Sequence, residues 1–431
     1  MMALSAHTDQ DRELWDASAQ SVPPDQLAAR AEQALAREWQ RVWSTDLPFY
    51  QEYYRAAGLD ETAMPSLSDI PSITKDHLRK NEADHPPFGT HRSVRLEDAL
   101  RIGMSTGTTG KPWFVFFSQH DLDELLRIRI PYLWRVGLRP GGRFAHSWPS
   151  GLYPSAVLGG RDYAALEILE IPTGPPFSDD VAAGHVRLWQ LLRPTGYMLT
   201  GSQLQTYDRV ARTMGIDLAE VMAGATLLLS EAACQFEAPR TRIEQGFGVR
   251  LHNLSGASEL PGFTSTDCRF HTGLHVSANH HVVQVVDPDT GAEVPDGERG
   301  RLVVSAFGLD AFALRYDLED IVSKSTDPCP CGETGPRYTF WGRGGDAAVV
   351  EGRRILPIDV QLALDSLGSP EFKMIPGASD VLRLSVESQK SAADVAALLT
   401  ENLGVRSEVA VVEVGSMPRA TFKPRRVEVG T

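Results

Sequence analysis

The sequence has only four cysteines among 431 residues, and it has neither a long apolar run nor a long basic run. Four cysteines in a chain of this length do not form a disulfide framework, so a cytosolic protein is expected. A stretch of about 18 apolar residues is missing, which argues against a transmembrane helix. Residues 1–20 are polar and acidic, which does not fit a signal peptide. We therefore expect no membrane partner.

Positive charge is also scarce. The chain has 42 lysines and arginines against 56 aspartates and glutamates, so its formal net charge is −14. This balance argues against a nucleic acid or an anionic membrane surface as a partner. With 42% hydrophobic and 23% charged residues, the composition is that of a globular protein. The length exceeds one ordinary core and predicts two or three domains.

One short stretch, residues 104–112, concentrates small, hydroxyl and basic side chains. Its central residues are Ser105, Thr106, Gly107, Thr108, Thr109, Gly110 and Lys111. Glycines let backbone N–H groups surround an anion, hydroxyls donate hydrogen bonds, and Lys111 adds a positive charge. The stretch predicts a polyphosphate-binding loop, with a plain hydroxyl-rich β-turn as the alternative. Because Pro112 and an aromatic strand follow, the loop is predicted to join two strands, unlike a Walker loop.

Predicted strands alternate with predicted helices between residues 140 and 260, which favours a mostly parallel α/β sheet. In such sheets, ligands bind beyond the carboxyl ends of the strands. Polar turns are predicted to follow three strands, at residues 200–202, 230–231 and 255–259. These turns are candidate walls of a ligand site.

Two local predictions concern less regular segments. A long helix is expected over residues 118–136, and Pro131 inside it is expected to kink or split the helix. Residues 164–171 are expected to form a strand.

The pattern becomes all-β from about residue 275 and changes again after two glycines at 344–345, which suit a hinge. Strands and helices then alternate over about 85 residues, a normal size for a small α+β domain. We therefore predict a large N-terminal α/β domain over 1–342, a hinge at 343–346 and a small, mobile C-terminal α+β domain over 347–431.

Five motifs follow one another along the chain, at residues 105–111, 256–259, 315–320, 342–346 and 416–423. In this order they resemble the acyl-adenylate-forming superfamily and, within it, the phenylacetate–CoA ligase family. The loop at 105–111 matches the family's phosphate loop, and the similarity extends over nearly the whole chain. Glu259 lies where the family has its magnesium-linked glutamate, and Asp320 matches the aspartate that holds the ATP ribose hydroxyls. Arg343 matches a ribose-contacting hinge arginine, and Lys423 matches the adenylation lysine.

The resemblance also implies roles for neighbouring residues. Asp346 would be the hinge residue. Taken alone, Lys423 fits a solvated tail lysine, and Glu259 and Asp320 fit surface carboxylates; their joint order favours the functional interpretation. The residues so implied in ATP or AMP binding are the loop residues together with Ser230, Glu231, Ser255, Gly256, Ala257, Ser258, Asp320 and Arg343.

The implied reaction is ATP- and Mg²⁺-dependent activation of an aromatic carboxylic acid to an acyl-adenylate, followed by transfer to coenzyme A. The implied assembly is a homodimer. Transfer to a hydroxyl or amine acceptor in a biosynthetic pathway, adenylylation of a cofactor, and non-catalytic nucleotide binding stay open as alternatives. Candidate residues of the acid pocket are Trp148, Tyr153, Ser230, His252 and Gly256.

The sequence departs from the family's pattern at Ser255, at residues 230–232 and in an unusual turn at residues 309–312. Ser255 replaces the tyrosine that stacks on adenine in the family, so adenine must stack elsewhere or bind less tightly. Ser230-Glu231-Ala232 replaces the usual Gly-Ala-Glu, which alters the wall between adenine and the acid.

Cys329 and Cys331 form a tight Cys-x-Cys pair, and Cys268 lies upstream with two histidines near it. Three thiolates and one imidazole make a closed tetrahedral zinc site, whereas the alternative is three reduced cysteines in turns. The resemblance favours His275 over His271 as the fourth ligand, because Gly-Leu-His275 matches the family's zinc cluster. The predicted role of this zinc is structural.

Overall fold

The computed structural model describes residues 10–105, 113–149, 151–153, 157–257, 259–260, 262–368, 370–375, 380–418 and 426–428. Its helices are α1 (Ala17–Gln20), α2 (Pro24–Ser44), α3 (Pro48–Ala56), α4 (Lys75–Asp84), α5 (Gln119–Arg135), α6 (Arg161–Ala165), α7 (Asp179–Leu192), α8 (Gly201–Thr213), α9 (Leu218–Met222), α10 (Glu237–Phe247), α11 (Pro357–Ala363) and α12 (Ala392–Leu403). Within these ranges, no helix is both long and apolar enough to span a bilayer.

The strands are short and numerous. They are β1 (Ile73–Thr74), β2 (Arg101–Ser105), β3 (Trp113–Phe117), β4 (Arg143–His146), β5 (Leu169–Pro172), β6 (Gly196–Leu199), β7 (Thr226–Leu229), β8 (Arg250–Gly256), β9 (Thr264–Thr266), β10 (Leu274–His275), β11 (His281–Val286), β12 (Arg299–Ala306), β13 (Ala313–Ser325), β14 (Arg337–Arg343), β15 (Ala348–Val350), β16 (Arg353–Ile355), β17 (Phe372–Ile375), β18 (Leu382–Glu387) and β19 (Ser407–Val412).

The chain divides into two compact units, residues 1–174 with 254–339 and residues 175–253 with 340–431. The first unit contains the predicted phosphate loop and the cysteine cluster. The second contains the parallel strands β6 and β7 together with the C-terminal α+β region. The predicted domain boundary at 343–346 stays a prediction.

The first unit is built around a β-rich sheet, as expected from the pattern after residue 275. Its strands follow the order β11-β12-β13-β14-β10-β9-β8, and β1 pairs in parallel with β13. The pairing of β11 with β12, of β12 with β13 and of β9 with β8 is antiparallel. Valine-rich strands such as β11 suit this sheet because branched side chains pack well on a pleated surface.

The second unit contains parallel strands, of which β6 and β7 are buried along their whole length. β6, β7 and β8 pair in parallel, with Leu199 opposite Leu229 and Leu229 opposite Asn253. Parallel strands covered on both faces are continuously apolar, which explains the Thr-Leu-Leu-Leu sequence of β7. The mostly parallel α/β architecture predicted for this part of the chain is confirmed.

The C-terminal part of the second unit is α+β, as predicted. β17 and β18 are antiparallel, β18 and β19 are parallel, and α12 connects the last two. A core of fully buried apolar side chains holds these elements together, including Val360, Leu364, Phe372, Val386 and Leu399.

Two local predictions need correction. α5 runs unbroken from Gln119 to Arg135 with Pro131 inside it, so the helix is not split, and the alternative of a kink stays a prediction. The side chains on both sides of the proline, among them Ile130 and Leu133, are buried, and their burial offsets the lost backbone hydrogen bond. Residues 161–165 form helix α6, and the strand starts only at Leu169, after Glu167 adopts a positive φ of 55°.

Candidate active site and metal centre

Glu259, the predicted magnesium ligand, forms an ion pair with Lys75. Lys75 is the first residue of α4, whose N-terminus is fixed by a capping box between Thr74 and His77. β1 precedes this helix and pairs with β13, so that Thr74 lies opposite Asp317. The sheet therefore holds a lysine beside the carboxylate, although the two residues are 184 positions apart in the sequence.

Lys75 was missed by the sequence analysis, which assigned no function to the segment that starts α4. The side chains of Lys75 and Glu259 are 24% and 17% exposed, so both charges are partly shielded but accessible to a ligand. A cation and a carboxylate at one position can together receive a phosphate group and its metal ion.

A small cavity of about 60 Å³ lies next to Glu259, and its walls combine aromatic and aliphatic side chains. Tyr50, His91, Trp113, Phe312 and Tyr316 are among the lining residues. Burial raises the pKa of Tyr316, and the charge of Glu259 adds to that increase. The phenol therefore stays neutral beside the carboxylate.

His91 fixes the strand that follows the phosphate loop. Its ring stacks on Trp113 with a centroid distance of 5.1 Å, and its Nδ1 lies 2.9 Å from the Oδ1 atom of Asn81. Burial and the neighbouring charge of Arg92 lower the pKa of His91 to about 3. Arg92 itself pairs with Glu82 and donates to the carbonyl of Phe114. The start of β3 is thus anchored by neutral stacking and a shielded ion pair.

The phosphate loop connects two antiparallel strands, as predicted from Pro112 and the aromatic residues after it. Ser105 at the end of β2 is paired with Trp113 at the start of β3. Loop residues Thr106, Gly107, Thr108, Thr109, Gly110 and Lys111 lie outside the described residues, as do Ser258 and Lys423. The structure therefore places the two ends of the loop and leaves these residues as predictions.

β8 extends to Gly256, so Ser255 and Gly256 belong to a strand and not to the predicted turn. Ser255 is paired with Ser265 of β9. A Cβ atom on Gly256 would lie 2.9 Å from the carbonyl oxygen of Phe263, which explains glycine at this position. The backbone N–H of Ala257 donates to the same carbonyl, at 3.2 Å.

Ser255 occupies the position of the family's adenine-stacking tyrosine. Tyr338, from strand β14, lies beside it. Burial raises the pKa of Tyr338 to about 12, while the hydroxyls of Ser255 and Ser265 act in the opposite direction. The nearby charge of Asp320 also raises this pKa. The Tyr338 ring packs parallel to that of Phe263, with a centroid distance of 6.2 Å. Asp320, the predicted ribose ligand, therefore belongs to the same part of the first unit as Ser255.

The predicted acid-pocket residues are distributed over both units. In the first unit, the rings of Trp148 and Tyr153 approach with a centroid distance of 5.8 Å. In the second, His252 is buried in β8, and Ser230 follows β7. The structure brings the two aromatic residues together and places the polar ones at or near strand ends of the parallel sheet.

Glu231, a predicted nucleotide-binding residue of the second unit, contacts neighbouring elements of that unit. Its backbone N–H donates to Asn253 Oδ1 at 3.3 Å, and a Cβ atom on Gly201 would lie 3.1 Å from its Oε2. Burial raises the pKa of Glu231, and the positive charge of Arg426 opposes that increase. Arg426 is therefore close enough to influence this carboxylate.

The predicted hinge follows a backbone clamp. The side-chain amide of Gln235 donates to the Phe340 carbonyl at 2.8 Å and accepts from the Phe340 N–H at 2.9 Å. Arg343 ends β14, and Asp346 ends the short 3₁₀ turn that follows. Gln235 was not identified from the sequence, because nothing in its local pattern indicates a partner 105 residues away.

The cysteine cluster is assembled as predicted. Cys268, His275, Cys329 and Cys331 are buried, and their ligand atoms lie within 4.8 Å of one another. The Sγ atoms of Cys268 and Cys329 are 3.6 Å apart, as are Cys331 Sγ and His275 Nε2. A hydrogen bond from Cys268 lowers the pKa of the Cys331 thiol, although burial acts against it. Three sulfurs and one imidazole with this spacing fit a tetrahedral zinc ion.

His271, the alternative ligand, turns to a different partner. Its Nδ1 lies 2.6 Å from Asp267 Oδ2. The geometry therefore favours His275 as the fourth member of the cluster.

No family model matches the chain. Among curated proteins, phenylacetate–CoA ligase of Thermus thermophilus is 28% identical over a 453-residue alignment that covers 96% of this chain and 99% of that protein. Phenylacetate–CoA ligase of Escherichia coli is 25% identical, with 94% of each chain covered. The chain is similar to phenylacetate–CoA ligases over nearly its whole length. The resemblance predicted from the five motifs is thereby confirmed.

Solved structures of acyl-CoA ligases share the fold of this chain. A 2-hydroxyisobutyryl-CoA ligase in the postadenylation state, in complex with 2-HIB-AMP, superimposes with a TM-score of 0.86 at 23% identity, over 97% of this chain and 92% of that one. The anthranilate CoA ligase AuaEII, in complex with anthranoyl-AMP, gives 0.57 at 17% identity over 83% and 73% of the two chains. The predicted fold class is confirmed.

Proposed function

We propose that this protein is an AMP-forming acid–thiol ligase that activates an aromatic carboxylic acid with ATP and transfers the acyl group to coenzyme A. The observation that carries the proposal is the similarity to phenylacetate–CoA ligases along nearly the entire length of both chains. The shared fold of ligases that bind acyl-adenylates supports it. Glu259, Asp320 and the ends of the phosphate loop all belong to one compact unit, which fits a common nucleotide site.

In the first half-reaction, a carboxylate oxygen of the acid bonds to the α-phosphorus of ATP, and the bond from that phosphorus to the pyrophosphate oxygen breaks. Both reactants are anions, so the site must supply positive charge and alignment. Lys423 would bridge the acid and the α-phosphate, and loop residues 105–111 would hold the departing pyrophosphate. Lys75 adds a further cation beside Glu259 and would oppose the charge of the phosphates.

Glu259 would hold Mg²⁺, which is commonly bound in proteins by one or two carboxylates together with substrate phosphates. The metal ion would neutralise part of the negative charge of the ATP phosphates. The ion pair with Lys75 holds the Glu259 carboxylate in place. Asp320 would accept hydrogen bonds from the ribose hydroxyls, and Arg343 would contact the ribose.

In the second half-reaction, the sulfur of coenzyme A bonds to the acyl carbon, the bond to AMP breaks, and the thiol proton is released. A rotation of the C-terminal region about residues 343–346 would switch the enzyme from the first half-reaction to the second. Trp148 and Tyr153, whose rings lie together in the first unit, would provide aromatic surface for an aryl acid.

The cysteine cluster would hold a structural Zn²⁺ through Cys268, Cys329, Cys331 and His275. All four ligand atoms are used, so no open position is left for a substrate. Its role is to stabilise the β-rich part of the first unit. This agrees with its position between β9, β10 and β14.

The experiment that tests this function measures pyrophosphate release from Mg-ATP with benzoic, phenylacetic, hydroxybenzoic and anthranilic acids, each with and without coenzyme A. We expect release that depends on one acid, an acyl-CoA product, and loss of both in Lys423→Ala. Lys390→Ala, which removes an exposed lysine of the same region, is the matched control. Adenylation without acyl-CoA would instead assign a hydroxyl or amine acceptor, and ATP binding without any turnover would contradict the ligase function.

A further inference from the structure

Glu333, two residues after the last cysteine of the cluster, contacts one of the proposed metal ligands. Its Oε2 atom lies 3.0 Å from Nδ1 of His275. Both side chains are almost completely buried, with 7% and 1% exposed. Glu333 also forms a buried ion pair with Arg135. It is therefore a carboxylate held inside the protein beside the cluster.

The contact with Glu333 determines which nitrogen of His275 is free. A neutral imidazole carries one N–H, and here Nδ1–H donates to the carboxylate while Nε2 faces the sulfur of Cys331 at 3.6 Å. A carboxylate that receives the second N–H of a metal-binding histidine orients the ring and strengthens the ligand.

Arg135, the last residue of α5, completes this arrangement. Its Nε lies 2.7 Å from Glu333 Oε2, and its Nη2 lies 2.5 Å from Oε1. A third nitrogen donates to the hydroxyl of Thr266 in β9, at 3.0 Å. The two-pronged ion pair leaves little freedom for the carboxylate to turn away from His275.

The N-terminal segment, residues 10–23, is attached to the same carboxylate. Gln20 donates from Nε2 to Glu333 Oε1 at 2.7 Å, and the backbone N–H of Thr334 donates to the Gln20 carbonyl at 3.1 Å. Farther along, Asn279 donates to the carbonyl of Ala19 at 2.8 Å, and Trp134 donates to the carbonyl of Arg12 at 3.0 Å. The segment therefore docks on the elements that surround the cysteine cluster.

We propose that Glu333 is a positioning residue that couples the metal centre to the N-terminal segment. It holds His275 ready for the metal with one oxygen and holds Gln20 with the other. Metal binding therefore stabilises the docking of residues 10–23, and docking tightens metal binding by the same factor, because such coupling is reciprocal. This inference rests on the zinc site proposed above.

The first test compares the zinc affinity of Glu333→Gln and of Gln20→Ala with that of the unaltered protein, by competition with a chelator of known affinity. We expect Glu333→Gln to bind zinc about 10- to 100-fold more weakly, as for other outer partners of metal-bound histidines. Gln20→Ala leaves the contact with His275 intact, so we expect a smaller, few-fold loss. Glu298→Gln, an exposed glutamate of the same unit, is the control and should bind zinc normally.

The second test follows backbone hydrogen exchange of residues 10–23 before and after zinc removal from the full-length protein. We expect faster exchange in this segment when zinc is removed, and unchanged exchange in α12 of the other unit. Normal zinc binding by Glu333→Gln, or an N-terminal segment that stays equally protected without zinc, would overturn the coupling. A protein that binds no zinc at all would instead overturn the metal centre itself.

Discussion

Lys75 at the start of α4 is paired with Glu259, so a lysine and the predicted magnesium ligand occupy one position in the first unit. Secondary structure fixes the lysine of this pair, because Thr74, the residue before Lys75, pairs with Asp317 of β13. This arrangement makes Lys75 part of the candidate active site, and its contribution can be measured separately from that of Lys423.

We expect Lys75→Ala to lower the rate of acid-dependent pyrophosphate release on the order of 100-fold, because a fixed positive charge near the transferred phosphates is lost. The measurement is the rate at saturating acid over a range of Mg-ATP concentrations. Lys80→Ala removes an exposed lysine from the same helix and should leave the rate unchanged. A Lys75→Ala rate within about threefold of the unaltered protein would exclude this role.

His91 should make the stability of the protein depend on pH. Its pKa is about 3 in the folded protein and about 6.5 in the unfolded chain, so the unfolded state binds the proton first as the pH falls. The free energy of unfolding should therefore decrease by up to about 1.4 kcal/mol per pH unit below pH 6.5.

This pH dependence can be measured by urea unfolding at pH 7 and pH 5. We expect the loss of stability between these values to be about 2 kcal/mol smaller in His91→Gln than in the unaltered protein. His85→Gln, which changes an exposed histidine nearby, should keep the full loss. Equal losses in both variants would show that His91 does not contribute.

Gly256→Ala should reduce stability by about 1–3 kcal/mol, because the new Cβ would lie 2.9 Å from the Phe263 carbonyl oxygen and the backbone must shift. The shift occurs three residues before Glu259, so adenylation should also decrease. Thermal unfolding and pyrophosphate release measure the two effects. Gly246→Ala in α10 has no atom within 4 Å of its new Cβ and should be neutral or slightly stabilising. Normal behaviour of Gly256→Ala would contradict the strand geometry at this position.

Cys331→Ala should lose the bound zinc and lower the melting temperature by several degrees, because a four-ligand structural site contributes directly to folding. Metal content and thermal unfolding are the measurements. Cys234→Ala also removes a buried thiol, but one outside the cluster, and should retain one zinc per chain. Zinc content that is unaffected by Cys331→Ala would rule out this ligand.

The sequence predicted the parts of the site whose chemistry lies in consecutive residues. The phosphate loop was correctly placed between two strands because Pro112 and the aromatic run after it favour a strand over a helix. The Cys-x-Cys pair indicated the metal cluster for the same reason. Lys75, Gln235 and Glu333 were missed because their roles arise from partners 184, 105 and 58 residues away.

Two errors in the fold have physical causes that local patterns do not contain. Pro131 is tolerated within α5 because the apolar side chains on both sides are buried by tertiary packing. The positive φ of Glu167 ends one element and allows β5 to begin, and no glycine marks this position. Both cases show long-range packing overriding a local preference.

The clamp between Gln235 and both backbone groups of Phe340 has a consequence for recombining such enzymes. The two hydrogen bonds from Gln235 fix the backbone at Phe340, so we expect the predicted rotation of the C-terminal part to begin after this residue. A chimera that joins this body to the C-terminal part of a related ligase should therefore be cut between residues 341 and 346. A cut before residue 340 would place the backbone of the other ligase opposite Gln235, so the two hydrogen bonds with Phe340 could be lost just before the predicted hinge.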